Sequence, residues 1–102
     1  MTQPARFAII GTGWRAEFFL RLAAAAPDRL QVTGVLARSD ASAARIAPWG
    51  VPVHRSMDDL LAARPDVVIA SVSWDAMPGV ITELVDRGVR VLAETPPAPD
   101  AD

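Results

Sequence analysis

The stretch Phe7-Ala8-Ile9-Ile10-Gly11-Thr12-Gly13-Trp14-Arg15-Ala16 decides the fold of this chain. Its first four residues are a continuous apolar run rather than an alternating one, as in a strand covered on both faces. The run stops at Gly11-Thr12-Gly13, and a helical pattern follows from about Trp14 to Ala26, with Trp14, Phe18 and Leu22 recurring every four residues on one face. A G-x-G-x-x-A motif therefore spans the junction of a strand and a helix. Gly11 permits the tight turn, Gly13 lacks a Cβ so that a pyrophosphate can approach the backbone, and Ala16 is small enough for helix to pack closely on strand. The free N–H groups at the helix start, Trp14 among them, face the phosphates, and the helix dipole favours their negative charge. Such a motif alone is a weak signal; its place on the first strand of a βαβ pattern is the context that makes it a dinucleotide site.

Outward from this junction, short β-rich runs alternate with amphipathic stretches, the pattern of an α/β domain with a parallel sheet. Pro27-Asp28 ends the first helix. Leu30 to Ala37 reads as a second strand, and Asp40 to Ala47 as a short alanine-rich helix with Asp40 as its N-cap. Pro48 and Gly50 punctuate its exit, and Val51-Pro52-Val53 is a short third strand, placed near an edge by its proline. Ser56-Met57-Asp58-Asp59 opens a third helix in a variant of the capping box, with aspartate where glutamate or glutamine is usual. Val67 to Ser73 is the plainest strand in the chain. Asp75 is expected to cap a fourth helix through about Arg87, with Val80, Ile81, Leu84 and Val85 as its apolar stripe and Gly88 just past its end. Val89 to Ala93 is the fifth strand. Together these elements predict a Rossmann-like, doubly wound parallel sheet in the order 3-2-1-4-5, with helices on both faces. Residues 1–95 are read as one dinucleotide-binding domain, and 96–102 as a proline-rich, extended tail.

The composition narrows the class further. At 102 residues and 51% hydrophobic, the chain can build one core and not two. The net charge of −2 and a pI of about 5.2 argue against nucleic acid as a partner. There is no cysteine, which removes thiolate nucleophiles and Cys-ligated metals, and no His/carboxylate cluster has metal-ligand spacing. No apolar run approaches the roughly 20 residues of a membrane span, and no signal-peptide pattern opens the chain, so the expected compartment is the cytoplasm. All ten basic residues are arginine, and there is no tyrosine.

The second specificity position of a dinucleotide fold lies at the end of the second strand, where an acid binds the ribose 2′-hydroxyl of NAD. From Leu30 through Ser39 this sequence has no acid, and the strand ends in Ala37-Arg38-Ser39. A guanidinium forks onto phosphate oxygens and Ser39 can donate another hydrogen bond, so the cofactor expected is NADP, with NAD second. The plain alternative for Arg38 is a solvated surface arginine. Ser71, Ser73 and Trp74 end the fourth strand beside the first, where ligands of open α/β sheets bind, and join the candidate cofactor contacts. His54, the lone histidine, falls beside the weak third strand and reads as an edge residue; Asp58-Asp59 reads as ordinary charge at a helix start.

Gly11-Thr12-Gly13-Trp14-Arg15, the αβ alternation, and a fifth strand running through Val91-Leu92-Ala93 into Glu94-Thr95-Pro96 resemble the N-terminal domain of Gfo/Idh/MocA-type oxidoreductases. The resemblance covers essentially the whole chain. It implies hydride transfer with a pyridine nucleotide on a sugar, polyol or related carbonyl or imine compound. It also implies a following substrate domain, so that small-molecule substrate and a homo-oligomer interface belong to a longer parent chain. The family's fifth strand ends in Glu-Lys-Pro, its lysine near the nicotinamide; here Glu94 is kept and Thr95 stands at the lysine position. Threonine can hydrogen-bond but cannot serve as a proton donor near neutral pH. That departure, with no lysine elsewhere, leaves the catalytic residues unassigned. It keeps a second reading open, a non-catalytic NAD(P)-binding sensor or regulatory module.

Overall fold

The structure is a computed structural model and describes residues 3–73 and 75–93. Its five strands are β1 (Ala5–Ile10), β2 (Leu30–Leu36), β3 (Val53–His54), β4 (Val67–Ala70) and β5 (Val91–Ala93). They form one sheet in the order β3-β2-β1-β4-β5, every neighbouring pair parallel. The helices are α1 (Trp14–Ala25), α2 (Asp40–Ile46), α3 (Met57–Ala62) and α4 (Met77–Asp86), with a 3-10 turn at Ala47–Trp49. The chain builds outward from β1 to β3, then crosses back to lay β4 and β5 on the other side of β1. The order thus reverses between β1 and β4, and the splayed connections leave a crevice at their carboxyl ends.

The continuous apolar run of β1 has the expected cause, burial on both faces. Ala8 and Ile10 pack into one cluster with Leu36, Met57, Leu60, Val68, Met77, Val80 and Leu84, beneath α3 and α4. Phe7 and Ile9 pack into the other with Ala16, Leu20, Ala23, Val35, Ile46 and Ile69, beneath α1 and α2. The β1–β2 register slips by one residue between Phe7 and Ala8, leaving Thr33 without a Cα partner. Thr33 is buried there, and its hydroxyl donates to the Phe7 carbonyl at 3.2 Å, so the irregularity carries its own hydrogen bond.

Several local expectations are corrected. In α1 the stripe Trp14, Phe18 and Leu22 faces outward, at 66%, 46% and 41% exposure, while Ala16, Leu20 and Ala23 are buried. The helix has two apolar stripes, and the close packing that needs a small residue selects the one carrying Ala16. The cap of α2 is Ser39, not Asp40: Ser39 Oγ accepts from the Ser42 N–H and Ser42 Oγ accepts from the Ser39 N–H, each at 3.1 Å. This reciprocal pair places Asp40 inside the first turn. Asp75 does not cap α4, which starts at Met77 after Ala76; the N–H groups of Ala76 and Met77 instead donate to the Ser73 carbonyl. Strand β3 is shifted to Val53–His54, β4 ends at Ala70, and β5 starts only at Val91, because the Val89 N–H still closes onto Leu84 at the exit of α4. Ser56 caps α3 as expected, accepting from the Asp59 N–H at 3.1 Å, and Gly88 takes the left-handed conformation (φ +73°) after α4. Among the described residues no helix is long and apolar enough to cross a membrane.

Candidate cofactor site

The two glycines of the loop answer different needs. Gly11 has φ +123°, and a Cβ built on it would lie 2.0 Å from the Ser71 carbonyl oxygen. Its N–H donates to the Leu36 carbonyl, and the Ser71 N–H donates to the Ile10 carbonyl at 2.8 Å, so β1, β2 and β4 are laced together at this point. The protein's own backbone therefore excludes a side chain at position 11. Gly13 is extended (φ −79°, ψ −168°), and a Cβ there would meet nothing within 4 Å. Nothing in the described chain requires a glycine at 13; the space it leaves lies outside the carboxyl end of β1, at the uncapped N-terminus of the 12-residue α1. That is a cradle of the shape a pyrophosphate needs.

Beside it lies a cavity of about 170 Å³ lined by Ile10, Gly11, Thr12, Leu36, Arg38, Ser42 and Val72. Among the described residues the lining holds one guanidinium, two hydroxyls and no carboxylate. Its apolar floor comes from the ends of β1 and β2 and its polar rim from the segments after them. Larger cavities lie at the other end of the sheet, around Arg64 and Arg87 and around Leu20 and Trp49, but neither is bounded by the glycine loop. Position at the strand reversal, rather than volume, marks the site.

The predicted residues fall as follows. Gly11, Thr12 and Arg38 meet at the cavity, with Gly13 and Ala16 on the same loop and helix start. Ser39 is exposed and does not line the cavity; its hydroxyl is engaged in the α2 cap. Ser71 is half-buried against Gly11 and Ser73 is exposed, holding the start of α4 through its carbonyl. The Arg15 guanidinium stacks 4.7 Å over the Trp14 ring at the start of α1. Trp74, Glu94, Thr95 and the 96–102 tail lie outside the described residues. Reading the sequence missed Ser42 and Val72; the Ser39-x-x-Ser42 spacing was a usable signal for the first, and nothing local marked the second. His54 is an edge residue, its ring seated on Gly34 so closely that a Cβ there would come within 2.7 Å of His54 Cδ2. No group of three His, Asp or Glu side chains could hold a metal ion among the described residues.

Known proteins agree with this geometry. The sequence model of an oxidoreductase family, described as NAD-binding Rossmann fold, matches residues 5–102. The WlbA dehydrogenase of Chromobacterium violaceum, solved with NADH and UDP-GlcNAcA, superposes with a TM-score of 0.80 at 26% identity, over 99% of this chain and 29% of its own. Two others show likeness of fold: GenD2 from gentamicin A biosynthesis in complex with NAD (TM-score 0.78, 19% identity, 91% of this chain and 27% of its own), and the biliverdin reductase of Synechocystis sp. PCC 6803 with biliverdin and NADP+ (0.76, 22%, 91% and 30%). The chain thus spans less than a third of each of those structures. No curated protein matches it in sequence. The glycine cradle, the 3-2-1-4-5 sheet and the family match converge: the chain belongs to the Gfo/Idh/MocA oxidoreductases, through their NAD-binding Rossmann domain.

Proposed function

We propose that this domain binds NADP(H) in preference to NAD(H) and serves as the cofactor half of a longer oxidoreductase acting on a sugar, polyol or related carbonyl or imine compound. The observation that carries the cofactor choice is the cavity beside the glycine loop, which presents Arg38 and two hydroxyls and, among the described residues, no acid. An acid there would accept from a ribose 2′-hydroxyl and repel a 2′-phosphate; a guanidinium does the reverse. When bound, the nicotinamide supplies the hydride chemistry. The chain's residues do the holding. Gly13 leaves the backbone approachable, the first-turn N–H groups of α1 donate to the pyrophosphate, Ser71 and Ser73 border its path, and Arg38 neutralises the 2′-phosphate. In the sequence Glu94 and Thr95 come directly after β5, and Thr95 offers a hydroxyl at the position where the resembling family has a lysine.

Titration of nicotinamide fluorescence tests this. NADPH should bind more tightly than NADH, and Arg38→Ala should narrow the difference by about 1–3 kcal/mol, the scale of a charge-assisted contact. Equal affinities unaltered by the substitution would refute the NADP reading. Residues 1–102 by themselves should bind cofactor without measurable turnover of sugars, polyols, aldehydes or imines. Substrate positioning, worth roughly 7–11 kcal/mol in favourable cases, belongs to the following domain. Turnover that vanishes in Gly13→Val would make this segment an enzyme in its own right. The sequence has no lysine or tyrosine to stand in for a donor at Thr95. That favours the second reading, a binding module without catalysis, should a longer parent also prove inactive.

A further inference from the structure

Arg55, which the sequence did not single out, lies one residue past β3. Because β3 pairs in parallel with β2, with Leu36 opposite His54, Arg55 emerges from the sheet beside the segment Ala37-Arg38-Ser39. The Ala37 N–H donates to the His54 carbonyl at 2.9 Å and holds the two strand ends together. From there the Arg55 guanidinium donates through Nη2 to the Arg38 carbonyl at 3.2 Å and through Nη1 to the Asp40 carboxylate at 2.7 Å. Arg38 and Arg55 therefore follow adjacent strand ends, and the exposed acid of Asp40 engages the second of them. The third arginine nearby, Arg45 on α2, is drawn to Glu17 at 3.1 Å and faces α1 instead.

The pair Arg55–Asp40 is poorly protected: the carboxylate side chain is fully exposed and the guanidinium half-exposed. Water and salt screen such a pair strongly, so it exchanges readily for a better anion. A phosphate dianion seated against Arg38 is that better anion, offering more charge and a fork of oxygens to a planar guanidinium.

We propose that Arg55 is a second guanidinium of the 2′-phosphate site, held in reserve by Asp40 and transferred to the phosphate when NADP(H) binds. This rests on the NADP reading above and deepens it. Asp40 acts as a placeholder: it keeps Arg55 at the strand ends when the cofactor is absent and competes with the phosphate for it. An arginine merely pinning the Arg38 carbonyl would affect both cofactors alike; a phosphate ligand affects only the phosphorylated one.

The test compares adenosine 2′,5′-bisphosphate with adenosine 5′-monophosphate by calorimetry, and NADPH with NADH by fluorescence, on the full chain. Arg55→Ala should weaken the 2′-phosphorylated ligands about tenfold, a scale set by one charge-assisted contact, and change the others less than about twofold. Asp40→Asn should strengthen the 2′-phosphorylated ligands several-fold and leave the others unchanged. Arg55→Lys should retain part of the preference, because the charge remains and the fork is lost. Circular dichroism confirms that each variant is folded. Equal weakening of both ligand classes by Arg55→Ala would overturn the proposal and make Arg55 a structural pin. A wild-type preference for NADPH that Arg38→Ala removes and Arg55→Ala leaves intact would overturn this proposal alone. A wild-type preference for NADH, untouched by Arg38→Ala, would overturn the NADP reading and this proposal with it.

Discussion

At the amino end of the sheet, Arg6 donates to the carbonyls of Arg64 at 2.8 Å and Ala63 at 2.7 Å, while its own N–H donates to Asp66 at 2.9 Å. Arg87 likewise reaches Asp58 at 2.7 Å and Glu83 at 3.1 Å. At the carboxyl end the pattern is different. Arg38 has no side-chain partner among the described residues, Arg55 has only a screened one, and the N-terminus of α1 has no side-chain cap. At the amino end arginine is an internal cross-link; at the carboxyl end Arg38 keeps its donors open, and Arg55 divides its own between the Arg38 carbonyl and an exposed acid. An arginine joined to backbone carbonyls fixes the connection between elements, and an arginine with unused donors is a site for an outside anion. The larger cavity at the amino end, about 520 Å³ around Leu61, Arg64, Arg87 and Arg90, belongs to the cross-linked side. There Arg87 is held above its ordinary pKa first by the bond it donates to Asp58.

The contrast implies that substitutions at the amino end change stability and leave cofactor affinity alone, while those at the carboxyl end divide into the two kinds. The largest effect is expected within the glycine loop itself. Gly11→Val drives a side chain into the Ser71 carbonyl and holds a branched residue at positive φ, so it should cost at least about 4 kcal/mol or prevent folding, read by urea denaturation. Gly13→Val should keep the urea midpoint close to wild type and abolish dinucleotide binding. A Gly13→Val chain that still binds NADPH would move the site elsewhere, and one that unfolds would erase the distinction between the two glycines.

Next in size is Arg6→Ala, which removes two charge-assisted bonds to carbonyls. A loss of about 1.5–3 kcal/mol is expected, with NADPH affinity unchanged once folded protein is selected. A specific fall in NADPH affinity would break the division between the ends. Ser39→Ala should cost about 1 kcal/mol through the α2 cap, and it tests whether that hydroxyl also serves the phosphate: an additional loss confined to NADPH would give it both roles. Arg87→Ala should be the smallest, a slight drop in the urea midpoint that shrinks as salt is raised, because both of its acidic partners are solvent-exposed.

The sequence alone determined the order and type of elements. β1 must be doubly buried because no residue of Phe7–Ile10 is polar, the turn must be glycine because the chain reverses into a helix there, and α/β alternation with right-handed crossovers leaves 3-2-1-4-5 as the simplest winding. It also placed Arg38 where the acid of an NAD site would stand. What the tertiary structure decided is which of two equally good local answers is used. Both Asp40 and Ser39 are good caps, and Ser42 three residues on tips the choice to the reciprocal hydroxyl pair. Both stripes of α1 are apolar, and contact of Ala16 with the sheet turns Trp14, Phe18 and Leu22 outward. The two glycines look alike in the motif, yet one is demanded by the Ser71 carbonyl and the other by nothing the chain supplies. Arg55 comes beside Arg38 only because parallel pairing sets the end of β3 beside the end of β2, a neighbourhood created by hydrogen bonds between residues seventeen apart in the chain. Local sequence sets propensity over one or two turns; long-range packing and strand pairing choose among the outcomes it leaves equal.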